Sequence, residues 1–393
     1  MKNLIFIPYQ DIFDFNNSKI LTREYAILYF LLNSGYDKLI CVNKPRTKLD
    51  EKEMNKISFV QGSIENNVYY HIENSKIIQY KSIINLGILL KKRGWWIDGY
   101  KRLCMQFDDI LRSGEIIVYS NNPFASELLL YLKKKGANII FDMMDNFSIH
   151  PSLKSREREF AFKGYKEISK IANFFSCNSD VTKKFCEENF DISPVLMKNG
   201  VFKLQNIKKE EIKQQAILNT EKEKFKYIAG YIGKLGKRVD ENLVKVILQN
   251  CKDVLFVFVG PMLKDQNNSE LVESIEKSNN AILLDAIPST YVYDMLEKFD
   301  VLMIPHAIGE RENGGDPLKL YQYLNTKKPI ITTAIYGVNE FDEIITIEDN
   351  YEKWVEYFNE EKFKKINYET PNTIYWEYRV NDLLKYLENN EYS

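Results

Sequence analysis

The chain has 393 residues, 45% of them apolar, with 54 lysines and arginines against 55 aspartates and glutamates. That near balance gives no overall field toward nucleic acid or an anionic membrane, so any anion site must be local. The length exceeds one core and makes two domains of roughly 150 to 200 residues the default. Cys41, Cys104, Cys177, Cys186 and Cys251 are odd in number, scattered and without a CxxC pair, which argues against a structural zinc site and for a reducing compartment, here the cytoplasm. No 18 apolar residues run together, and the opening LIFIPY is short for a signal peptide, so neither a membrane span nor export is expected.

In chain order, LIFIPY (4–9) reads as a buried strand, 22–33 as a helix and KLICVN as a second strand, the opening of a doubly wound sheet. GxGxxG is missing, so a dinucleotide cofactor is not supported. The polar, aromatic loop 9–21 lies where such sheets bind ligands, and fits either acceptor contact or an ordinary surface loop. Residues 57–80 alternate as short strands or a hairpin do. His71, beside Tyr69 and Tyr70, fits a packed half-polar residue better than a catalyst. Lys91, Lys92 and Arg93 followed by Trp95 and Trp96 supply what a membrane interface needs, cations for lipid phosphates and indoles for headgroup depth. A core helix with a solvated end is the alternative.

EIIVYSNN (115–122) reads as a strand followed by a helix to about Lys135, and 137–151 as a strand running into a loop that carries Asp142, Asp145 and His150. FFSCNSD (174–180) is another strand, with Ser179 or Asp180 capping the next helix, and Asn199-Gly200 is a turn signal. From Phe202 to about Lys224 the chain is highly charged and poor in large apolar residues, which places the domain boundary there. Strands and helices then alternate again through KYIAGYIG, VLFVFVG, AILLDAI and DVLMIPH.

The stretch from Glu310 to Thr333, ERENGGDPLKLYQYLNTKKPIITT, packs a loop, a helix and a strand into few residues. A helix opening just after glycines presents free N–H groups and the positive end of its dipole, which suits a phosphate, and Lys319 adds charge. An ordinary helix cap with a solvated lysine fits the same pattern.

GYIGKL (230–235), LFVFVGP (255–261), ILLDAIPSTYVYDML (282–296), FDVLMIPH (299–306) and DPLKLYQYLNTKKPIITT (316–333) resemble, in order and spacing, the nucleotide-binding domain of family-four glycosyltransferases of the GT-B fold. The last piece resembles the variant seen in bacterial surface-polysaccharide transferases. FDMMDNF, SCNSD and MKNGVF resemble the later part of the family's first domain, and TIYWEYRVNDLLKYL its carboxyl-terminal helix, which crosses back to the first domain. The resemblance implies two Rossmann-like parallel-sheet domains facing a cleft: an acceptor-binding domain at 1–202, a charged linker at 203–224, a nucleotide-sugar domain at 225–370 and a returning helix at 371–393. It implies a retaining glycosyltransferase that extends a bacterial glycan or lipid-linked acceptor from a nucleotide-diphosphate sugar, cytoplasmic and membrane-peripheral, with neither metal nor cofactor.

By the same resemblance, Gly233, Lys234, Lys237 and Arg238 lie beside the donor diphosphate together with the backbone of Gly315, Asp316, Pro317 and Leu318 and the side chain of Lys319. Ala286 and Ile287 lie where the family grips the base, and Gln322 where it holds the ribose. Asp145 and then His150, with Asp142 nearby, are the candidates for orienting the acceptor. His306 follows a strand end and fits either approach to the donor sugar or plain packing. Two positions depart from the family. Gln322 replaces the usual glutamate and accepts only through its carbonyl oxygen, and Gly314 stands where many relatives place a second glutamate, with Glu310 or Asp316 as substitutes. A sugar-nucleotide epimerase and a non-catalytic transferase-like partner remain the alternatives, the first disfavoured by only three histidines.

Overall fold

The computed structural model describes residues 2–11, 14, 23–32, 38–47, 75–78, 81–82, 94–104, 115–150, 153–204, 211–262, 269–309 and 316–389. Their contacts divide the chain into two units, Met1–Lys198 with Arg379–Ser393, and Asn199–Tyr378.

The first unit is built on apolar runs. Leu4 to Ile7 of β1 (Lys2–Ile7) are fully buried, as strands covered by helices on both faces must be. β2 (Lys38–Val42), β4 (Ser75–Ile78), β6 (Glu115–Ser120), β7 (Asn138–Met143), β8 (Phe174–Cys177) and β9 (Val195–Leu196) join it in a parallel sheet of order β4-β2-β1-β6-β7-β8-β9. β3 (Arg46–Thr47) and β5 (Lys81–Ser82) form a separate parallel pair. The alternation around 75 gives a short strand parallel to β2. The remainder of 57–80, His71 included, lies outside the described residues, as do Lys91, Lys92 and Arg93.

Trp95 and Trp96 sit on the helix Gly94–Leu103. Trp96 is half-buried, its ring 5.8 Å from both Tyr9 and Phe124 and beneath the Lys44 ammonium. The helix Ser155–Ile168 escapes the sequence reading because its outer face is heavily charged, while Ala161, Tyr165 and Ile168 line its buried side. Gly164 lets it close on the preceding turn: a Cβ there would lie 2.1 Å from the Pro123 carbonyl oxygen. Ser179 caps the helix Asp180–Phe190 by accepting from the Thr182 amide. The last helix, Asn381–Asn389, returns to this unit, burying Leu383 and Leu387. Tyr386 donates to Asn138 Oδ1 at 2.8 Å and lays its ring 5.0 Å from Phe174.

The second unit holds β10 (Tyr227–Ile232), β11 (Val254–Val259), β12 (Ala281–Leu284), β13 (Val301–Ile304), β14 (Ile330–Thr332) and β15 (Thr346–Ile347) in a parallel sheet of order β12-β11-β10-β13-β14-β15. Gly230 in β10 is required by packing, since a Cβ would meet the Phe299 ring at 2.0 Å. The division between units falls before Asn199, and the charged stretch is not a plain linker. It is helical over Lys213–Lys222, burying Leu218 in the second core while Gln215 donates to the Asp294 carbonyl. Its low apolar content reflects a helix that shows one narrow face to the core. Residues 372–378 also stay with this unit, tied by Val201 N–H to Ile374 O and Trp376 N–H to Val201 O. Among the described residues no helix is long and apolar enough to cross a membrane.

Candidate active site

In the second sheet the chain steps outward from β10 through β11 to β12, then returns to the other side of β10 with β13 and runs on to β14 and β15. The carboxyl ends of β10 and β13 therefore flank the point where strand order reverses, the place where open parallel sheets bind ligands. The loop leaving β10 is clamped there on both sides. Gly233 N–H donates to Val259 O at 2.9 Å and Leu235 N–H to Pro261 O at 3.0 Å, while Asp240 N–H reaches Pro305 O and Ala307 N–H reaches Arg238 O at 2.7 Å. Gly260 passes under this loop so closely that a Cβ would stand 2.0 Å from the Gly233 oxygen. Lys234, Lys237 and Arg238 are thereby fixed to the carboxyl edge and remain exposed.

Lys319 extends from the helix Leu318–Leu324 into this corner. Its Nζ donates to the Tyr231 hydroxyl at 2.7 Å, lies 3.1 Å from His306 Nε2, and sits 3.9 Å from the centre of the Tyr231 ring. The Tyr231 hydroxyl donates to Lys234 O at 3.1 Å and stands 3.2 Å from His306 Nε2. Gly233 leaves the space: a Cβ there would come within 2.6 Å of Lys319 Nζ. Burial, then the Arg238 charge, hold Lys319 well below the ordinary lysine range. Burial, then Lys319 and Arg238, hold His306 well below 6.5. The Tyr231 phenol is pushed up by burial. Neither Lys319 nor His306 is bonded to a carboxylate among the described residues, and Arg238 adds positive charge nearby, an arrangement suited to an incoming anion.

Gly233, Lys319 and Arg238 come together here with His306 and Tyr231. His306 is a core member of the cluster and not an isolated packing residue, and Tyr231 was legible only as part of GYIG. Asp316 faces elsewhere. Its carboxylate accepts from the Tyr321 hydroxyl at 2.5 Å and from the Asn199 amide, and Asn199 Nδ2 donates to its carbonyl at 2.9 Å, so its charge is spent on local bonds. Pro317, not Asp316, is the residue that opens the helix, without a side-chain cap. Leu318 and Gln322 are half-buried on that helix. Ala286 is exposed and Ile287 half-buried beyond β12, where Gly260 N–H to Leu284 O joins their loop to the same edge. Gly315, Gly314 and Glu310 lie outside the described residues.

In the first unit Asp142 is fully buried and fully used. Arg23 grips it with two bonds of 2.7 and 2.9 Å, and Tyr119 and Ser176 donate to it at 2.9 and 2.8 Å. It holds the sheet together and is not presented to an acceptor. Asp145 is exposed, its carbonyl accepting from the Tyr165 hydroxyl at 2.7 Å, and His150 is half-buried with its ring 6.0 Å from Phe147.

No protein-family model matches the chain, and no curated protein matches it. Solved structures do. HepE of Anabaena in complex with UDP and glucose aligns with a TM-score of 0.60 and 11% identity over 99% of each chain. The lipopolysaccharide outer core galactosyltransferase WaaB, in its apo form, aligns with 0.58 and 12% over 99% of this chain and 100% of its own. Sucrose-phosphate synthase of Thermosynechococcus elongatus aligns with 0.64 and 10% over 100% of both. Two units with parallel sheets, aligned from end to end with these proteins, show that the chain has the GT-B fold.

Proposed function

We propose that the chain is a glycosyltransferase that takes a sugar from a nucleotide-diphosphate donor held at the carboxyl ends of β10 and β13. The observation that carries this reading is the Lys319 cluster: a half-buried lysine whose amine bonds Tyr231 and His306 and has no carboxylate partner among the described residues, at the strand-order reversal, with Arg238 beside it. Structures of the same fold include one with UDP and glucose and one with UDP-2-fluoro glucose, which supports a nucleotide sugar as the ligand.

As the bond to the anomeric carbon breaks, charge develops on the departing diphosphate. Donors already aimed at that position lower the barrier without having to reorganise. Lys319 supplies one, and Lys234, Lys237 and Arg238 add positive charge along the same edge. Ala286 and Ile287 offer backbone groups to the base and Gln322 one carbonyl acceptor to the ribose. Asp145, with His150 second, orients a glycan or lipid-linked acceptor from the first unit, with retention at the anomeric carbon. Surface-polysaccharide synthesis at the inner face of a bacterial membrane, with contact near Lys91 to Trp96, completes the reading.

Incubation with UDP- and GDP-sugars, followed by mass spectrometry, tests it. Released nucleoside diphosphate is the expected product. Isomerised donor would identify an epimerase instead, and no nucleotide binding at millimolar donor would remove both enzymatic readings.

A further inference from the structure

The bonds around the Tyr231 hydroxyl have a direction. Lys234 O can only accept, so the phenol proton goes to it at 3.1 Å, and the hydroxyl is left to accept from Lys319 Nζ at 2.7 Å. An ammonium carries three N–H donors and no lone pair. Nζ also lies 3.1 Å from His306 Nε2, a hydrogen bond only where Nε2 keeps its lone pair and the ring proton sits on Nδ1. The other tautomer would spend an Nε2 proton on the Tyr231 hydroxyl 3.2 Å away and offer the ammonium no acceptor. The imidazole is held from the backbone outward. His306 N–H donates to Ile304 O at 2.9 Å, its carbonyl accepts from the Thr333 hydroxyl at 2.7 Å, and its ring meets that of Tyr231 edge-on, 5.8 Å between centres. Pro305 and Ala307 on either side of it are bonded to Asp240 and Arg238 of the loop after β10.

We infer that His306 is a positioning residue of the donor site: as the Nδ1–H tautomer it accepts from the Lys319 ammonium through Nε2 and, with the Tyr231 hydroxyl, engages two of its three N–H groups, leaving the third for the diphosphate. This deepens the donor-site reading and rests on it. His306 acts through Lys319. A lysine without such a seat loses its rotamer freedom only when the ligand arrives, which weakens binding, whereas a seated one is ordered beforehand. Both acceptors are uncharged, so they orient the ammonium without neutralising it, and its charge stays available to a phosphate oxygen. Burial, then the charges of Lys319 and Arg238, hold His306 well below 6.5, in keeping with a neutral ring.

Two measurements on the full chain test the inference. Nitrogen NMR of histidine-labelled protein reads the tautomer. The chain has three histidines, so the signals lost in His306→Gln identify the ring. A proton on Nδ1 and a bare Nε2 are expected at neutral pH, and a proton on Nε2 would overturn the inference. Calorimetric titration with UDP and, separately, GDP reads the consequence. His306→Leu fills the space without an acceptor and is expected to bind nucleotide about tenfold more weakly. His306→Asn, whose amide ends where Nδ1 lies, should lose as much. His306→Gln carries a carbonyl oxygen to the place of Nε2 and is expected to bind within about threefold of the parent. In a Lys319→Ala background, His306→Leu should have no further effect, because its partner is gone. Equal losses in His306→Leu and His306→Gln would mean that the ring serves packing. An undiminished loss without Lys319 would mean that it acts on its own. Either result, or full affinity in His306→Leu, would overturn the inference while leaving the donor site standing. Absence of binding of both nucleotides by the parent would overturn the donor-site reading, and the inference with it.

Discussion

The two units treat a basic side chain near the carboxyl edge of their sheets in opposite ways. In the first, Arg23 meets Asp142 in a two-bond pair, and Tyr119 and Ser176 complete the carboxylate's bonds. In the second, Lys319 meets, among the described residues, Tyr231 and His306. The parallel is close, since Tyr119 and Tyr231 are each the penultimate residue of a strand, and one gives its proton to a carboxylate while the other accepts from an amine. A buried charge that finds its counter-charge within the protein is structural. One that does not is available to a ligand.

That contrast breaks first at Asp142. Asp142→Ala strands the Arg23 guanidinium in the core and should cost about 3 to 5 kcal/mol of stability. Denaturant unfolding should show the loss, with the nucleotide affinity of the folded protein unchanged. If affinity fell and stability did not, the first-unit pair would belong to the site. Lys319→Ala should do the reverse, weakening UDP binding by about 1.5 to 3 kcal/mol, the worth of a charge-assisted hydrogen bond, with no loss of stability. Unchanged affinity would show that the amine does not meet the ligand.

His306 sharpens the contrast through pH. Its folded value lies below the ordinary 6.5, so the unfolded chain binds its proton first as pH falls. Stability is fully present above 6.5 and declines below it, by up to about 1.4 kcal/mol per pH unit, until the folded imidazole also titrates. Urea unfolding of the parent and of His306→Gln between neutral and acid pH measures the share that the variant lacks.

Much of this was legible in the residues. Strand runs such as LIFIPY and VLFVFVG announce themselves because parallel strands buried on both faces are apolar throughout. The helix Ser155–Ile168 and the helix Lys213–Lys222 were hidden by their charge, since a helix needs only a stripe of apolar positions to join a core. Lys319 and the GYIG loop were visible as motif positions, but their meeting with His306 was not. Tyr231, His306 and Lys319 are brought together by sheet order alone, which no local pattern encodes. Asp142 and Asp145 are equally acidic in sequence, and only the fold gives one to Arg23 and leaves the other exposed.

The finest distinction comes from two glycines at the same edge. A methyl group at Gly260 would press on the Gly233 carbonyl oxygen, which is backbone and cannot swing aside, so Gly260→Ala should lower stability. At Gly233 the same methyl would meet Lys319 Nζ at 2.6 Å and the Tyr231 hydroxyl at 3.1 Å. The nearer of these is the tip of a long side chain, which can move. Gly233 has a positive φ of 157°, so Gly233→Ala should strain the backbone and lower stability as well as push the amine off its seat between Tyr231 and His306. The expected loss of UDP affinity is smaller than in Lys319→Ala, because the charge is displaced and not removed. Calorimetry of the two glycine variants beside thermal unfolding separates the effects. Equal stability losses with unaltered affinity in both would mean that the edge is built for packing and that the lysine's position is incidental.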